Sequence, residues 1–365
     1  MQPVICSIAR TPIGRFNGGL APLSAMDLGG VAITGALERA GLAGSDVDEV
    51  MFGHVLQAGQ GQITARQAAV RAGVPMTVPA VTINKVCLSG LTAIQEAANH
   101  VRLGESTFVV AGGMESMTNA PYVLPGAREG YRMGNKEVVD VMTHDGLFCA
   151  FDSCMMGESS DRKNDDLGIG RTEQDAWSAS SHARAAKATE DGTFAREIVS
   201  VPVPQRRGEP INVDSDEGIR TATTQESLGS LRPAFHPGGT ITAGNASQIS
   251  DGAAAVVVAD RAAAEAAGLP IIAEIVGYGQ TAGPDATLHE RPAEALRIAL
   301  KRSSLDVGDL DLFEFNEAFA SVALWSARML GIDDARVNVH GGAVALGHPC
   351  LLYTSPSPRD ARKYL

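Results

Sequence analysis

The 365-residue chain is 44% hydrophobic and 20% charged, with a formal net charge of −12. That length allows two or three domains' worth of core, and the balance excludes an intrinsically disordered chain. The acidic charge, with no basic stripe to reverse it locally, excludes a nucleic-acid footprint, and no apolar run reaches the roughly 18 residues that cross a bilayer.

The start, MQPVICSIARTPIG, lacks the charged, apolar and small-residue regions of a secretory leader. Five cysteines (Cys6, Cys87, Cys149, Cys154 and Cys350) form an odd set, read as reduced thiols of a cytoplasmic protein. The expected partner is a small molecule or another copy of the chain.

ALERAGLAGSDVDEVMFG, Ala36 to Gly53, aligns without a gap on ALKRSSLDVGDLDLFEFN, Ala299 to Asn316. Each reads as a helix end, a polar connection, an Asp-x-Asp pair and a hydrophobic strand. VTIN at Val81 has a counterpart in VNVH at Val337, in the same order. Two matches in one order predict an internal duplication. QAGQGQITARQAA, which follows the first copy's strand, has a Gly-x-Gly without the rest of a phosphate loop.

NKVCLSGLTAIQEAANHVRLG places Cys87 where a strand passes into a helix. Leu88, Leu91, Ile94, Ala98 and Val101 follow helical spacing, and Gly104 suits the C-terminal cap. A cysteine at a helix N-terminus faces unpaired N–H groups, which lower its pKa from about 8.5 and favour the nucleophilic thiolate. The alternative is a small cysteine packed in the core. Alternation of helices with strands such as ESTFVVAGG and GAAAVVVAD predicts α/β layers around a largely parallel, buried sheet.

Residues from about Met114 to about Thr240 interrupt the repeat, rich in Gly, Pro and charge, and read as an inserted loop domain over the sheet edge. EQDAWSASSHARAAKAT within it reads as a helix. His144, Cys149 and Cys154 are spaced by five, which fits neither a zinc knuckle nor a helix face, so no metal site is expected. NVDSDEG lacks the full calcium-loop pattern and reads as a solvated turn.

In the second copy, EFNEAFAS (Glu314 to Ser321) ends the repeated strand; Asn316 offers an amide to a developing oxyanion or caps a helix. VNVHGGAVALGHP reads as a buried strand and a glycine-rich turn that presents His348. Pseudo-symmetry would bring His348 near Cys87, where a neutral imidazole can take the thiol proton; otherwise it caps its own turn. The first copy continues into a helix and strand, whereas CLLYTSPSPRD after Pro349 has no periodicity and cannot form them. The chain is expected to be truncated there, with a non-native tail at 350–365 that resembles a translated sequencing-adapter stretch.

NKVCLSG, GGMESMTNAPY, TAGNASQISDGAA, NEAFA and GGAVALGHP resemble the successive signatures of the thiolase family, in its order, from RTPIGRF at Arg10 to Pro349. The resemblance implies a duplicated α/β fold with five layers, α-β-α-β-α, and an inserted loop domain. The N-terminal domain would span 1–262, with the loop domain at about 114–240, and an incomplete C-terminal domain 268–349. It implies that Cys87 takes an acyl group from an acyl-CoA, that His348 deprotonates it, and that Asn316 holds a water beside the thioester oxygen. Ala243 and Ser247 then match contacts to the pantetheine arm, and Arg220, Ser227 and Phe235 positions around the nucleotide end. Ala318 and Phe319 would line the acyl pocket, with Met156 nearby. An Arg beside a CoA phosphate suits planar pairing.

The implied reaction is condensation of two acetyl-CoA to acetoacetyl-CoA and CoA, or its reverse. CoA thioesters are substrates, no cofactor or metal is implied, and a homo-oligomer, a dimer of dimers, is expected in the cytoplasm. Two departures stand out. Met155 occupies a position where short-chain biosynthetic members carry His. The family's second cysteine, about 30 residues beyond the Gly-His-Pro turn, has no counterpart, and Cys350 is too close to be it. The chain is therefore expected to be acylated at Cys87 without completing the Claisen step. The alternatives are a degradative 3-ketoacyl-CoA thiolase with longer substrates and a non-catalytic acyl-CoA- or lipid-binding protein. Decarboxylating ketoacyl synthases share the duplicated fold but need a second histidine motif that is absent.

Overall fold

The computed structural model describes residues 1–349 and the backbone of Lys363–Tyr364; Cys350 lies outside the described residues. The first unit contains β1 (Pro3–Arg10), β2 (Gly14–Arg15), α1 (Ala25–Ala40), β3 (Glu49–Gly53), α2 (Thr64–Arg71), β4 (Ala80–Ile83), α3 (Ser89–Leu103) and β5 (Phe108–Ser116). An insertion follows, carrying three two-stranded hairpins. They are β6 (Tyr122–Val123) with β7 (Val139–Asp140), β8 (Phe148–Cys149) with β9 (Cys154–Met155), and β10 (Val201–Val203) with β11 (Ile211–Val213). Its helices are α4 (Met156–Leu167), α5 (Arg171–Glu190) and α6 (Gln225–Gly229). The chain returns as β12 (Ser250–Asp260) and α7 (Arg261–Ala266). It then passes through β13 (Ala273–Ile275), α8 (Arg291–Ser303), α9 (Ala320–Leu330) and α10 (Ala343–Leu346).

The sheet has the order β14-β13-β1-β12-β5-β3-β4, β14 being Lys363–Tyr364. Its parallel pairs are β5-β3, β3-β4 and β13-β14, but β12 runs antiparallel to both β1 and β5, and β1 antiparallel to β13. The sheet is therefore mixed, not largely parallel: β12 arrives after a long insertion, and a connection of that length leaves either strand direction open. Lys363–Tyr364 pairs in parallel with β13 at the edge of the sheet; the stretch CLLYTSPSPRD lies outside the described residues.

Both faces of this sheet are covered. Along β12, Ala253, Ala255, Val257 and Ala259 point into one core with α1 and α2, while Val256 and Val258 point into the other with α3. That two-residue alternation between two apolar layers is the mark of a central strand. The buried side of α3 is Ala93, Ala97, Ala98 and Val101, whereas Leu88 is exposed, so Leu88 is not a core position.

The duplication holds at atomic detail. The polar connection after α1 closes with the Ala43 N–H donating to Asp46, and its counterpart closes with the Asp306 N–H donating to Asp309, at 2.9 and 2.8 Å. Helix α1 ends at Gly41 and α8 at Ser304, both left-handed. Where β3 pairs with β4 in parallel, the second unit has a single parallel bridge, Phe313 to Val337. The predicted strand at VNVH stops there because Asn338 is left-handed (φ 46°) and its side-chain amide takes over the pairing. Its Oδ1 accepts from the Phe315 N–H at 2.8 Å and its Nδ2 donates to the Phe315 carbonyl at 2.9 Å.

The acidic turn NVDSDEG is not solvated throughout. Asp216 is buried, accepts both guanidinium nitrogens of Arg10 at 2.7 and 2.8 Å, and receives the Ile13 N–H. A bidentate buried pair of this kind fixes orientation as well as charge.

Candidate active site

Cys87 lies one residue before the N-cap of α3, on a tight turn between β4 and the helix. Val86 has φ 49°, a region that a β-branched residue occupies only when its surroundings impose it. The surroundings are visible. The Asn84 side chain accepts the Val86 N–H at 3.0 Å, and Ser89 Oγ accepts the Lys85 N–H and donates to the Val86 carbonyl at 2.8 and 2.7 Å. Placed outside the helix and only half-exposed, the thiol is pushed up to about 11 by burial, with a smaller opposing contribution from a backbone hydrogen bond. That is opposite to the lowering expected from the helix N-terminus: desolvation of the thiolate outweighs the dipole.

His348 sits in the turn after α10, 7% exposed, and burial pushes its imidazole down to about 4. Asn316 Nδ2 approaches His348 Nε2 at 3.4 Å. An amide nitrogen can only donate, so this contact assigns Nε2 as the lone-pair nitrogen. Nδ1 is buried with no partner among the described residues. Asn316 and His348 are thus brought together, while no hydrogen bond among the described residues joins either to Cys87.

Two side chains hold this turn in place. Gln248, just before β12, donates from Nε2 to the carbonyls of Gly218, Val344 and Ala345 at 2.9, 3.0 and 3.0 Å, and its backbone carbonyl accepts the His348 N–H at 2.9 Å. Glu317, beside Asn316, is buried and accepts four hydrogen bonds. Trp177 Nε1 and Asn338 Nδ2 donate to one oxygen at 3.0 and 2.8 Å; Ser181 Oγ and the Val344 N–H donate to the other at 2.8 and 3.0 Å. Gly347, with φ 112°, passes so close to β12 that a Cβ would lie 2.2 Å from Ser250 Oγ. Glu317 and Gln248 were not singled out from the sequence, although both lie inside quoted motifs; their burial is what marks them.

The residues expected around the substrate fall into two groups. Phe235 and Phe319 meet edge to face, 6.4 Å between centroids, within an apolar cluster that includes Ala318. The Ser247 N–H donates to the Ala318 carbonyl at 3.1 Å, Ala246 bridges Phe319, and Ala243 is exposed in the same segment. Met156 opens α4 directly before Gly157, whose missing side chain makes room for the Phe235 ring: a Cβ there would lie 2.0 Å from it. In the second group, Arg220 is exposed and donates its backbone N–H to buried His182 at 3.1 Å. Ser227 is also exposed and belongs to the capping box of α6, its Oγ accepting the Thr224 N–H at 3.0 Å. Arg171 anchors α6 through the Leu228 carbonyl.

Residues 3–262 match the thiolase N-terminal domain and residues 269–352 the thiolase C-terminal domain. The chain is 52% identical to a probable acetyl-CoA acetyltransferase of Mycolicibacterium smegmatis over 95% of its length and 89% of the relative's. It is 49% identical to an acetyl-CoA acetyltransferase of Pseudomonas aeruginosa and 44% identical to a probable acetyl-CoA acyltransferase of Staphylococcus aureus, covering 95% of this chain and 88% of each relative.

Proposed function

The chain belongs to the thiolase family, and on that premise we propose that it is an acetyl-CoA C-acetyltransferase whose acyl group is carried on Cys87. The reaction of that class is condensation of two acetyl-CoA to acetoacetyl-CoA and CoA, or the reverse thiolysis, and Cys87, Asn316 and His348 serve its acyl-transfer half. The observation that carries the site assignment is the Asn316–His348 contact held by Glu317 and Gln248. It orients a neutral imidazole with its Nε2 lone pair beside an amide donor.

In the acyl-transfer half, Cys87 Sγ attacks the thioester carbonyl carbon while His348 Nε2 takes the thiol proton. A thiol near 11 and an imidazole near 4 form no resting ion pair, so proton transfer accompanies carbon–sulfur bond formation. Asn316 holds a water against the developing oxyanion, and the CoA sulfur leaves with the proton from His348. Ala318 and Phe319 wall the acyl end and Ala243 and Ser247 follow the pantetheine arm, while Arg220 and Ser227 face the nucleotide end; Phe235, expected with those two, packs instead on Phe319 and beside Gly157, next to Met156. CoA thioesters are substrates, and no cofactor or metal enters the scheme.

We further propose a homo-oligomer, a dimer of dimers. Strand β4 has a neighbour on one side only among the described residues, and Ile63, Val81, Val86 and Leu88 around it are exposed, the pattern of an edge that a partner covers. A cytoplasmic location is proposed from the free thiols of Cys6, Cys87, Cys149 and Cys154. No helix among the described residues is long and apolar enough to cross a membrane.

The deciding experiment is intact-mass measurement after incubation with acetyl-CoA, acetoacetyl-CoA and a long-chain 3-ketoacyl-CoA. One added acetyl group on Cys87 from acetyl-CoA, absent in Cys87→Ser, is the expected result. Acyl-CoA binding without a covalent adduct would replace this reading with a binding protein, and acylation from the long-chain substrate alone would move it to degradative thiolysis.

A further inference from the structure

We propose that Cys149 and Cys154 form a reversible dithiol–disulfide pair, a modification site in the inserted domain that is separate from Cys87. In the hairpin β8–β9, Cys149 lies directly opposite Cys154, and Phe148 opposite Met155. Directly opposed residues of an antiparallel pair have Cα atoms about 4.5 or 5.5 Å apart and side chains on one face. A disulfide requires about 4.4 to 6.8 Å. Either pair type therefore allows the bond without backbone rearrangement. The spacing of five that suits neither a zinc knuckle nor a helical face is what a hairpin tip of Ala150, Phe151, Asp152 and Ser153 produces.

The two thiols differ in a way that assigns their roles. Cys149 is half-buried and the more accessible of the two, its Sγ accepting the Asp152 N–H at 3.4 Å. Cys154 is 7% exposed, and burial, followed by the neighbouring Glu158 carboxylate, raises its thiol above the ordinary value. Cys149 is the attacking sulfur and Cys154 the resolving one. His144, the third residue of the spaced set, contacts Asp145 at 2.6 Å instead, and no cluster of metal-ligating side chains occurs among the described residues.

With hydrogen peroxide as oxidant, the Cys149 thiolate attacks one oxygen and the O–O bond breaks. This leaves Cys149 as a sulfenic acid and releases hydroxide, which becomes water with the proton the thiol gave up. Cys154 sulfur then attacks the sulfenic sulfur; the S–S bond forms, the S–O bond breaks, and the second water leaves with the Cys154 proton. Two thiols and one peroxide become one disulfide and two waters. Because β9 runs directly into Met156 and α4, the cross-link fixes the base of a segment that reaches the acyl-CoA side, a consequence that rests on the thiolase reading of Met156; the disulfide itself does not.

The test uses the folded 365-residue protein. The tryptic peptide Glu137–Arg162 contains Cys149 and Cys154 and no other cysteine, and Cys87 falls in a different peptide. After peroxide and then N-ethylmaleimide, this peptide is expected two hydrogens lighter and unlabelled, with both labels restored when dithiothreitol precedes alkylation. Cys154→Ser is expected to stop at the Cys149 sulfenic acid, trapped by dimedone. Two labels after a peroxide dose that oxidises Cys87, or separate sulfinic acids without loss of two hydrogens, would overturn the proposal. The readout is covalent state rather than turnover, so its failure leaves the acyl-transfer reading untouched.

Discussion

Glu317 concentrates four donors on two carboxylate oxygens in the interior. Glu317→Ala strands those donors and is expected to cost about 3 kcal/mol, read as a lowered urea midpoint at unchanged slope. Glu317→Gln is no rescue, because its NH2 would face two of the donors. On the proposed roles, His348 and Cys87 set the pH response of acylation. With the thiol near 11 and the imidazole near 4, both stay neutral across the ordinary range. The single-turnover acylation rate is expected to be flat from about pH 5 to about pH 9. A limb centred near pH 6.5 would show that His348 titrates as a solvated imidazole.

Helix α4 begins where Gly157 leaves space for Phe235. Gly157→Ala drives the ring from its edge-on contact with Phe319 and is expected to raise the acetyl-CoA concentration that half-saturates single-turnover acylation of Cys87 about tenfold, with a smaller change in the limiting rate. It should also cost about 1 to 2 kcal/mol in unfolding. Elements with a local signal were legible in the sequence: α3 with its Gly104 cap, α5 over the EQDAWSAS stretch, and the repeated connections that end in Asp46 and Asp309. What was not legible depended on distant partners. The direction of β12 is left open by its long return through the insertion, and the strand at Val337 is cut short because the Asn338 side chain reaches Phe315. At the candidate site, Cys87, Asn316 and His348 were readable as residue types at punctuated positions. The raised thiol was not, since burial belongs to the folded whole.

Over the whole molecule, acid is the expected weakness. His182, His289 and His348 are buried and each pushed down to about 4, burial being the first cause in all three. The unfolded chain takes up these protons near pH 6.5 and the fold only near 4. Stability is therefore complete above about 6.5 and falls as pH drops through that window, each histidine contributing up to about 1.4 kcal/mol per pH unit. Glu314 and Asp251 oppose this: burial raises both carboxyls, so the fold retains protons that the unfolded chain has shed, and each adds stability as pH falls toward its unfolded value. Partial desolvation raises Asp334 in the same direction; the histidine loss is expected to show as a lower urea midpoint at pH 5 than at pH 7. An unchanged or higher midpoint at pH 5 would contradict it.

The grip of Gln248 on the turn at Val344 to His348 joins chain segments about a hundred residues apart. During synthesis the strand–turn–helix that carries Cys87 emerges and can settle long before His348 leaves the ribosome. The grip can close only when both ends are available, so a growing chain carries its nucleophile well before its base. On the proposed roles, reactivity is thereby scheduled last: an unfinished chain is expected to hold an unassisted thiol and to load acyl groups more slowly than the finished one.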